Sequence, residues 1–297
     1  HNVADVTEED ISRLMVGRDV VLKIEKKAAK PGKPLLKVRD LKVADETGAV
    51  HLNGVSFTLR EWEILGIAGV EGNGQSQMID AITGMGHVSS GTVELAGNDV
   101  TGASVRKIRG LKLAHIPEDR MTTGVAAGLS IRENVIADKL GWKRFSKGGL
   151  LDRKEIRAYG EEMVRDYQIL CKSQDVEIGS LSGGNIQKGV VARELSADPV
   201  VVVANQPTRG VDVGASEFIR QRLIDMRDQG KGVLLITSDL NEVLGLSDSL
   251  IVMYEGRIVA YISDVPSMTE AELGTYMLGI QTQPEDQIKE ALHETEQ

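Results

Sequence analysis

The chain has 297 residues, 41% of them apolar but only 3% aromatic, enough to bury a sizeable core built mainly of Val, Leu and Ile. Its formal charge of −9 has the wrong sign for a protein that binds nucleic acid by neutralising phosphates, and its single cysteine, Cys171, excludes an intramolecular disulfide and any multi-cysteine metal site. No apolar run approaches the roughly eighteen residues of a membrane span, and the opening HNVADVTEED has no signal-peptide pattern. A soluble, cytoplasmic protein is expected, one that would meet a membrane only through a partner.

Thr7, followed three residues on by Asp10, makes an imperfect capping box, and Ile11, Leu14 and Met15 have helical spacing, which predicts a helix up to Gly17. Lys23 to Pro34, lysine-rich with Pro31-Gly32, reads as a linker. Alternation at Leu36–Val38, Leu41–Val43 and Val55-Phe57-Leu59 predicts antiparallel strands broken by a turn at Asp45 to Gly48. The apolar run Ile64-Leu65-Gly66-Ile67-Ala68 then enters Gly69-Val70-Glu71-Gly72-Asn73-Gly74-Gln75-Ser76. A loop G-x-x-x-x-G-K-[ST] wraps phosphates with its backbone N–H groups, reaches the outer ones with its lysine and ligates magnesium with its hydroxyl. Gly69, Gly74 and Ser76 keep that frame, but Gln75 stands at the lysine position and brings no charge. Losing a charge-assisted contact costs about 1.5–3 kcal/mol, or about one to two powers of ten in affinity.

A helix is predicted from Ser76 to Ile82, stopped by Gly84, and hairpin-like strands around Gly91 to Ala96 lead to His115-Ile116-Pro117-Glu118-Asp119-Arg120. Helical patterns at Ile131–Leu140 and Arg153–Leu170 flank a loop from Lys143 to Gly149; Trp142 and Phe145 read as buried there, with contact to a partner as the alternative, and Cys171 as a bystander. Next comes Leu181-Ser182-Gly183-Gly184-Asn185-Ile186-Gln187-Lys188. The helix-forming run Asn185 to Ser196 makes Ser182 the N-cap of a helix whose start faces an anion. An apolar strand, Val200 to Ala204, ends in Asn205-Gln206-Pro207-Thr208-Arg209-Gly210-Val211-Asp212, and a second runs from Gly232 to Ser238. Leu250–Met253 and Ile258-Val259 read as a hairpin around Glu255-Gly256-Arg257, Glu270 to Leu278 as a helix, and the acidic end, 281–297, as frayed or a short helix.

A phosphate loop, an LSGG helix start and an apolar strand in this order resemble the nucleotide-binding domain of ABC-type ATPases. The strings GVEGNGQ, PEDR, LSGGN, QPTRGVDVGA and TSDLNEV are similar to the second nucleotide-binding half of double ATPase subunits that energise ribose- and nucleoside-type bacterial importers. The resemblance implies an α/β, ABC-type P-loop NTPase domain with a mostly parallel core sheet, an antiparallel β subdomain and an inserted α-helical subdomain. It implies that 1–34 is the last helix of a preceding half plus linker, 35–280 the nucleotide-binding domain with its helical subdomain at about 118–190, and 281–297 a tail. ATP or ADP with Mg2+ would be held by Gly69, Gly72, Asn73, Gly74, Gln75 and Ser76, and Ser182, Gly183 and Gly184 would face a nucleotide as the signature. Ser76 and Glu118 are the magnesium candidates, Glu118 standing at the Q-loop glutamine that couples the site to the membrane domain, with pairing to Arg120 as its plain alternative. His51 is the nearest residue to the usual adenine-stacking aromatic.

By the same resemblance Asn205 and Gln206 replace the Walker B acids that orient magnesium's water shell and polarise the attacking water, and Ser238 replaces the switch histidine. The losses at Gln75, Asn205, Gln206 and Ser238 all fall on groups that act in cis, whereas Ser182, Gly183, Gly184 and the D-loop Asp212, which act on the other domain's ATP, are kept. The expected protein is therefore a degenerate domain of a ribose- or nucleoside-type importer, hydrolysing little ATP by itself. Its partners would be a second nucleotide-binding domain, the N-terminal half of the same polypeptide, and transmembrane permease subunits, with no nucleic acid, on the inner face of the bacterial plasma membrane. The alternative is a nucleotide-sensing regulatory domain that binds ATP or ADP weakly without chemistry. Ribosome-acting tandem ATPases are disfavoured by the missing lysine and acidic balance, and chromosome-maintenance ATPases by the lack of a long coiled-coil insertion.

Overall fold

The computed structural model describes residues 26–147 and 149–294, so the helix expected before Gly17 lies outside the described residues. In chain order the elements begin with β1 (Pro34–Ala44), β2 (Val50–Arg60), β3 (Glu63–Ala68), α1 (Gln75–Thr83), β4 (Ser90–Leu95), β5 (Asn98–Asp99), α2 (Val105–Gly110) and β6 (Leu113–Ile116). There follow α3 (Ile131–Ile136), β7 (Ser146–Lys147), β8 (Leu150–Leu151), α4 (Arg153–Asp166), α5 (Gly183–Leu195), β9 (Val201–Asn205) and α6 (Val213–Asp228). The last are β10 (Gly232–Ile236), α7 (Leu240–Leu246), β11 (Ser249–Tyr254), β12 (Arg257–Ile262), α8 (Glu270–Met277) and α9 (Glu285–Glu294). These elements divide between two compact units.

The larger unit, residues 26–115, 198–206 and 223–294 of the described chain, carries two sheets. One has the order β12-β11-β3-β10-β9-β6, with β3 parallel to β10 and β11, β10 parallel to β9, and β12 antiparallel to β11. Its central strands are continuous apolar runs because both faces are covered: every residue of β3 and β10 is buried. The second sheet, β2-β1-β4-β5, is antiparallel. The expected β1–β2 turn is present, with Asp45 Oδ1 accepting from the backbone N–H groups of Thr47 (2.9 Å) and Ala49 (3.1 Å). Leu36, Leu52, Phe57, Ile67, Met78, Ile82, Val203 and Leu234 share one aliphatic core, as the scarcity of aromatics implied. The fold is the expected α/β P-loop architecture.

The smaller unit, residues 116–197 and 207–222 among those described, is mainly helical around Ile131, Val135, Phe145, Tyr159, Met163 and Ile178. The helix expected to run to Leu140 stops at Ile136. Lys139, whose side chain is fully buried, turns the chain there: its backbone N–H donates to Ile136 O (2.8 Å), and its ammonium takes Val135 O (3.3 Å) and Arg193 O (2.6 Å). The helix expected to reach Leu170 ends at Asp166, because Gln168 enters the left-handed region at φ 52°. Phe145 is buried as expected, but Trp142 is 39% exposed, stacked parallel on the outside of Phe145 at 6.0 Å. Cys171 packs at the edge of this core, and burial pushes its thiol up.

Candidate functional site

In the larger unit the sheet register places three chain reversals side by side. Ile236 of β10 pairs with Ile67 of β3 on one side and with Asn205 of β9 on the other, so the carboxyl ends of these strands lead together into Gly69–Gly74, Thr237-Ser238 and Gln206. That edge of a parallel sheet is where α/β folds bind ligands. Gly74, the residue before α1, sits at φ 97°, and a Cβ there would come within 2.6 Å of His51 O, so only glycine fits. The loop is buttressed from the β11–β12 turn: Asn73 Oδ1 accepts from Glu255 N (2.9 Å) and Asn73 O from Gly256 N (3.2 Å). Ser76 is exposed in the first turn of α1.

Gln75 is nearly buried, and its Nε2 donates to Val70 O (3.2 Å) within the same loop. An amide satisfied this way offers a phosphate no cation. At the strand ends Gln206, at φ 49°, accepts on Oε1 from Ser238 N (3.2 Å) and Ser238 Oγ (3.3 Å), so two of the positions the resemblance reads as replaced are bonded to each other. Asn205 beside them completes a neutral set, with no carboxylate to hold a metal's water shell and no base to take a proton. His51, on β2, has its Nε2 3.0 Å from Asp45 Oδ2 in the β1–β2 turn, and its own carbonyl is what crowds Gly74.

The smaller unit carries Glu118, the LSGG helix start and residues 207–212. Helix α5 begins at Gly183, two residues before the expected Asn185. Ser182 occupies the N-cap position with extended backbone, yet its hydroxyl accepts from Asn185 Nδ2 (2.9 Å) instead of capping a backbone N–H, which leaves the first N–H groups of α5 without a side-chain cap. Glu118 pairs with the Arg209 guanidinium, and not with Arg120, the plain alternative to a magnesium role. A magnesium ion at Glu118 would have to compete with that arginine, and among the described residues no group of three or more His, Cys, Asp or Glu could hold a metal. Arg120 donates instead to the carbonyls of Arg209 (2.7 Å) and Gly210 (3.1 Å). Asp119 caps the turn Arg120–Gly124, accepting from Met121 N (2.9 Å) and Thr122 N (3.0 Å); the Thr122 hydroxyl bond, with these N–H groups, holds its carboxyl below the usual range. Asp212 Oδ1 accepts from Ala215 N (2.9 Å) in the first turn of α6. The roles of Arg120 and Arg209 were missed in sequence, since PEDR and TRG are separated along the chain and neither string signals the other.

Residues 52–209 match the ABC transporter family. The chain is 38% identical over 277 residues to the nucleoside import ATP-binding protein NupA of Lactococcus lactis subsp. cremoris, covering 93% of this chain and 54% of that protein. It is 39% identical over 278 residues to the guanosine import ATP-binding protein NupO of Bacillus subtilis, covering 94% and 54%. The chain thus spans about half the length of the curated relatives it matches. Among solved structures it is similar in fold to a nucleotide-free ATP-binding cassette from an ABC transporter, with a TM-score of 0.68 at 21% identity over 82% of this chain and 99% of the other.

Proposed function

The chain belongs to the ABC transporter family, and from that premise we propose that it is a nucleotide-binding domain of an importer for ribose- or nucleoside-like solutes that has given up hydrolysis at its own phosphate loop. Its contribution is the signature, presented to ATP held by a partner domain. The observation that carries the reading is the contrast between the two sets of residues. The set Gln75, Asn205, Gln206 and Ser238 is neutral, with Gln75 bonded to Val70 O and Gln206 to Ser238, whereas Ser182, Gly183 and Gly184 begin a helix with uncapped N–H groups suited to an anion. ATP or ADP with Mg2+ would meet Gly69, Gly72, Asn73, Gly74, Gln75 and Ser76 only weakly in cis, Ser76 being the hydroxyl available to the metal.

The partner is a second nucleotide-binding domain. The length of the curated relatives supports its being the other half of one polypeptide, and their names as import ATP-binding proteins support a role in import, for which transmembrane permeases and a place on the inner face of the membrane are the proposed complement. No described helix is long and apolar enough to cross a membrane. The test pairs this chain with a partner domain whose phosphate loop and Walker B acids are intact. Residues 1–297 alone are expected to turn over ATP far below the 1–1,000 per second typical of enzymes. The pair should hydrolyse ATP, and Ser182→Trp in this chain should silence it. Ordinary turnover by the chain alone, or undiminished turnover by the Ser182→Trp pair, would overturn the reading.

A further inference from the structure

We propose that Arg120 is a positioning residue that locks the tip of α5 to the 209–212 segment, so that both meet a partner's triphosphate as one rigid piece. The inference rests on the reading that the signature serves a partner's ATP, and it adds a residue to which that reading gave no role.

Three segments converge in the smaller unit. The Arg120 guanidinium spans two successive carbonyls, Arg209 O at 2.7 Å and Gly210 O at 3.1 Å, and Gly210 is held at φ 64°. The same guanidinium lies against the signature: a Cβ on Gly183 would stand 2.9 Å from Nη2. Gly184 is seated in the same manner, since a Cβ there would come within 2.5 Å of Asp212 Oδ2. The two signature glycines therefore make room for Arg120 and Asp212 as well as for a ligand. Asp119 sets the Arg120 turn from one side, and the Glu118–Arg209 ion pair grips by its side chain the segment whose carbonyls Arg120 takes.

The chemistry requires arginine. A planar fork fixes two acceptors at a set spacing, whereas a lysine ammonium is a point charge on a flexible stem. A reaction that depends on a helix tip meeting a phosphate is sensitive to the tip's placement, and a misplacement of about 1 Å can cost roughly a hundredfold in rate. The partner's own phosphate loop makes most of the ground-state contacts to ATP, so a loosened tip should lower kcat far more than it raises KM.

The experiment uses the pair defined above. Arg120→Ala and Arg120→Lys should each lower kcat about ten- to a hundredfold while KM for ATP moves less than about threefold. Millimolar guanidinium should restore part of the Arg120→Ala turnover and leave wild type and Arg120→Lys unchanged. Gly183→Ala, which pushes the guanidinium aside without removing it, should reproduce the kcat loss with an unaltered circular dichroism spectrum. Full turnover in Arg120→Ala, or a loss that guanidinium fails to relieve and that comes with a lowered Tm, would overturn the proposal. Silence in Ser182→Trp beside full turnover in Arg120→Ala would remove this role alone; full turnover in Ser182→Trp would remove the signature reading beneath it.

Discussion

On the proposed reading, the side chain at position 75 decides how strongly the loop of residues 69–76 can hold a triphosphate. The loop backbone is that of a phosphate binder, with Gly74 left-handed and closely packed, but the Gln75 amide donates to Val70 O and carries no charge. Restoring a cation should recover the missing charge-assisted contact, about 1.5–3 kcal/mol, without restoring bases at Asn205, Gln206 or Ser238. Gln75→Lys is therefore expected to tighten ATP binding by about one to two powers of ten in calorimetric titration while turnover of the chain alone stays at its low level. Unchanged affinity would mean that the loop geometry, not the lost charge, limits binding. Residue identity made this much legible in advance, because glycine, glutamine and serine at fixed spacing report a local turn and its donors. The bond between Gln206 and Ser238 was not legible, since it depends on β9 and β10 lying side by side in register.

Among the elements, the strands, the β1–β2 turn and the β11–β12 hairpin were readable from alternation and turn chemistry, whereas the ends of α3 and α4 were not. A buried lysine and one left-handed glutamine set those ends, and neither leaves a periodic trace. The segment before β1 shows the same limit. It reads as a linker, yet Lys26 Nζ is bound to Leu246 O and Asp248 Oδ1 (2.6 Å each), Arg227 Nη1 to Lys27 O (3.0 Å) and Asp248 Oδ1 (2.9 Å), and Arg60 Nη1 to Gly32 O (3.1 Å). Asp248, with its side chain 6% exposed, is the hub, since its other oxygen accepts from Ile64 N (2.8 Å) at the start of β3. Asp248→Asn leaves Lys26 without its carboxylate and Arg227 with Asp228 alone, and should cost about 3 kcal/mol in urea unfolding, with faster tryptic cleavage after Lys26 and Lys27. Resistance to trypsin equal to wild type would show that the carboxylate is not what straps the segment down. Glu63, which opens β3 beside this cluster, has its carboxyl raised by burial against the opposing bonds from Ser249 and the Arg60 N–H. A folded-state pKa above the unfolded value of about 4.3 stabilises only while the proton is held, so that term is present at low pH and lost as pH rises through the folded pKa. Measured against wild type, Glu63→Gln should be relatively more stable at pH 7 than at pH 4 by urea unfolding at the two pH values, and a pH-independent difference would contradict the burial assignment.

For the molecule as a whole, the proposed division of labour between a silent loop and a kept signature sets a stoichiometry. In a head-to-tail pair each triphosphate needs one domain's phosphate loop and the other domain's signature. On the proposed reading this chain would offer Ser182, Gly183 and Gly184 to its partner, but Gln75, Asn205, Gln206 and Ser238 to its own nucleotide. Only one of the two composite sites then holds both a cation for the outer phosphates and a carboxylate for the metal and water. Vanadate, which traps ADP where hydrolysis has occurred, should retain about one ADP per pair, from the site whose phosphate loop is the partner's. Quantifying labelled ADP after gel filtration checks this, with Ser182→Trp as the variant that should trap none. Two ADP per pair would mean that a loop without its lysine and strand ends without their acids can still cleave ATP, and the asymmetric assignment of the two halves would have to be abandoned.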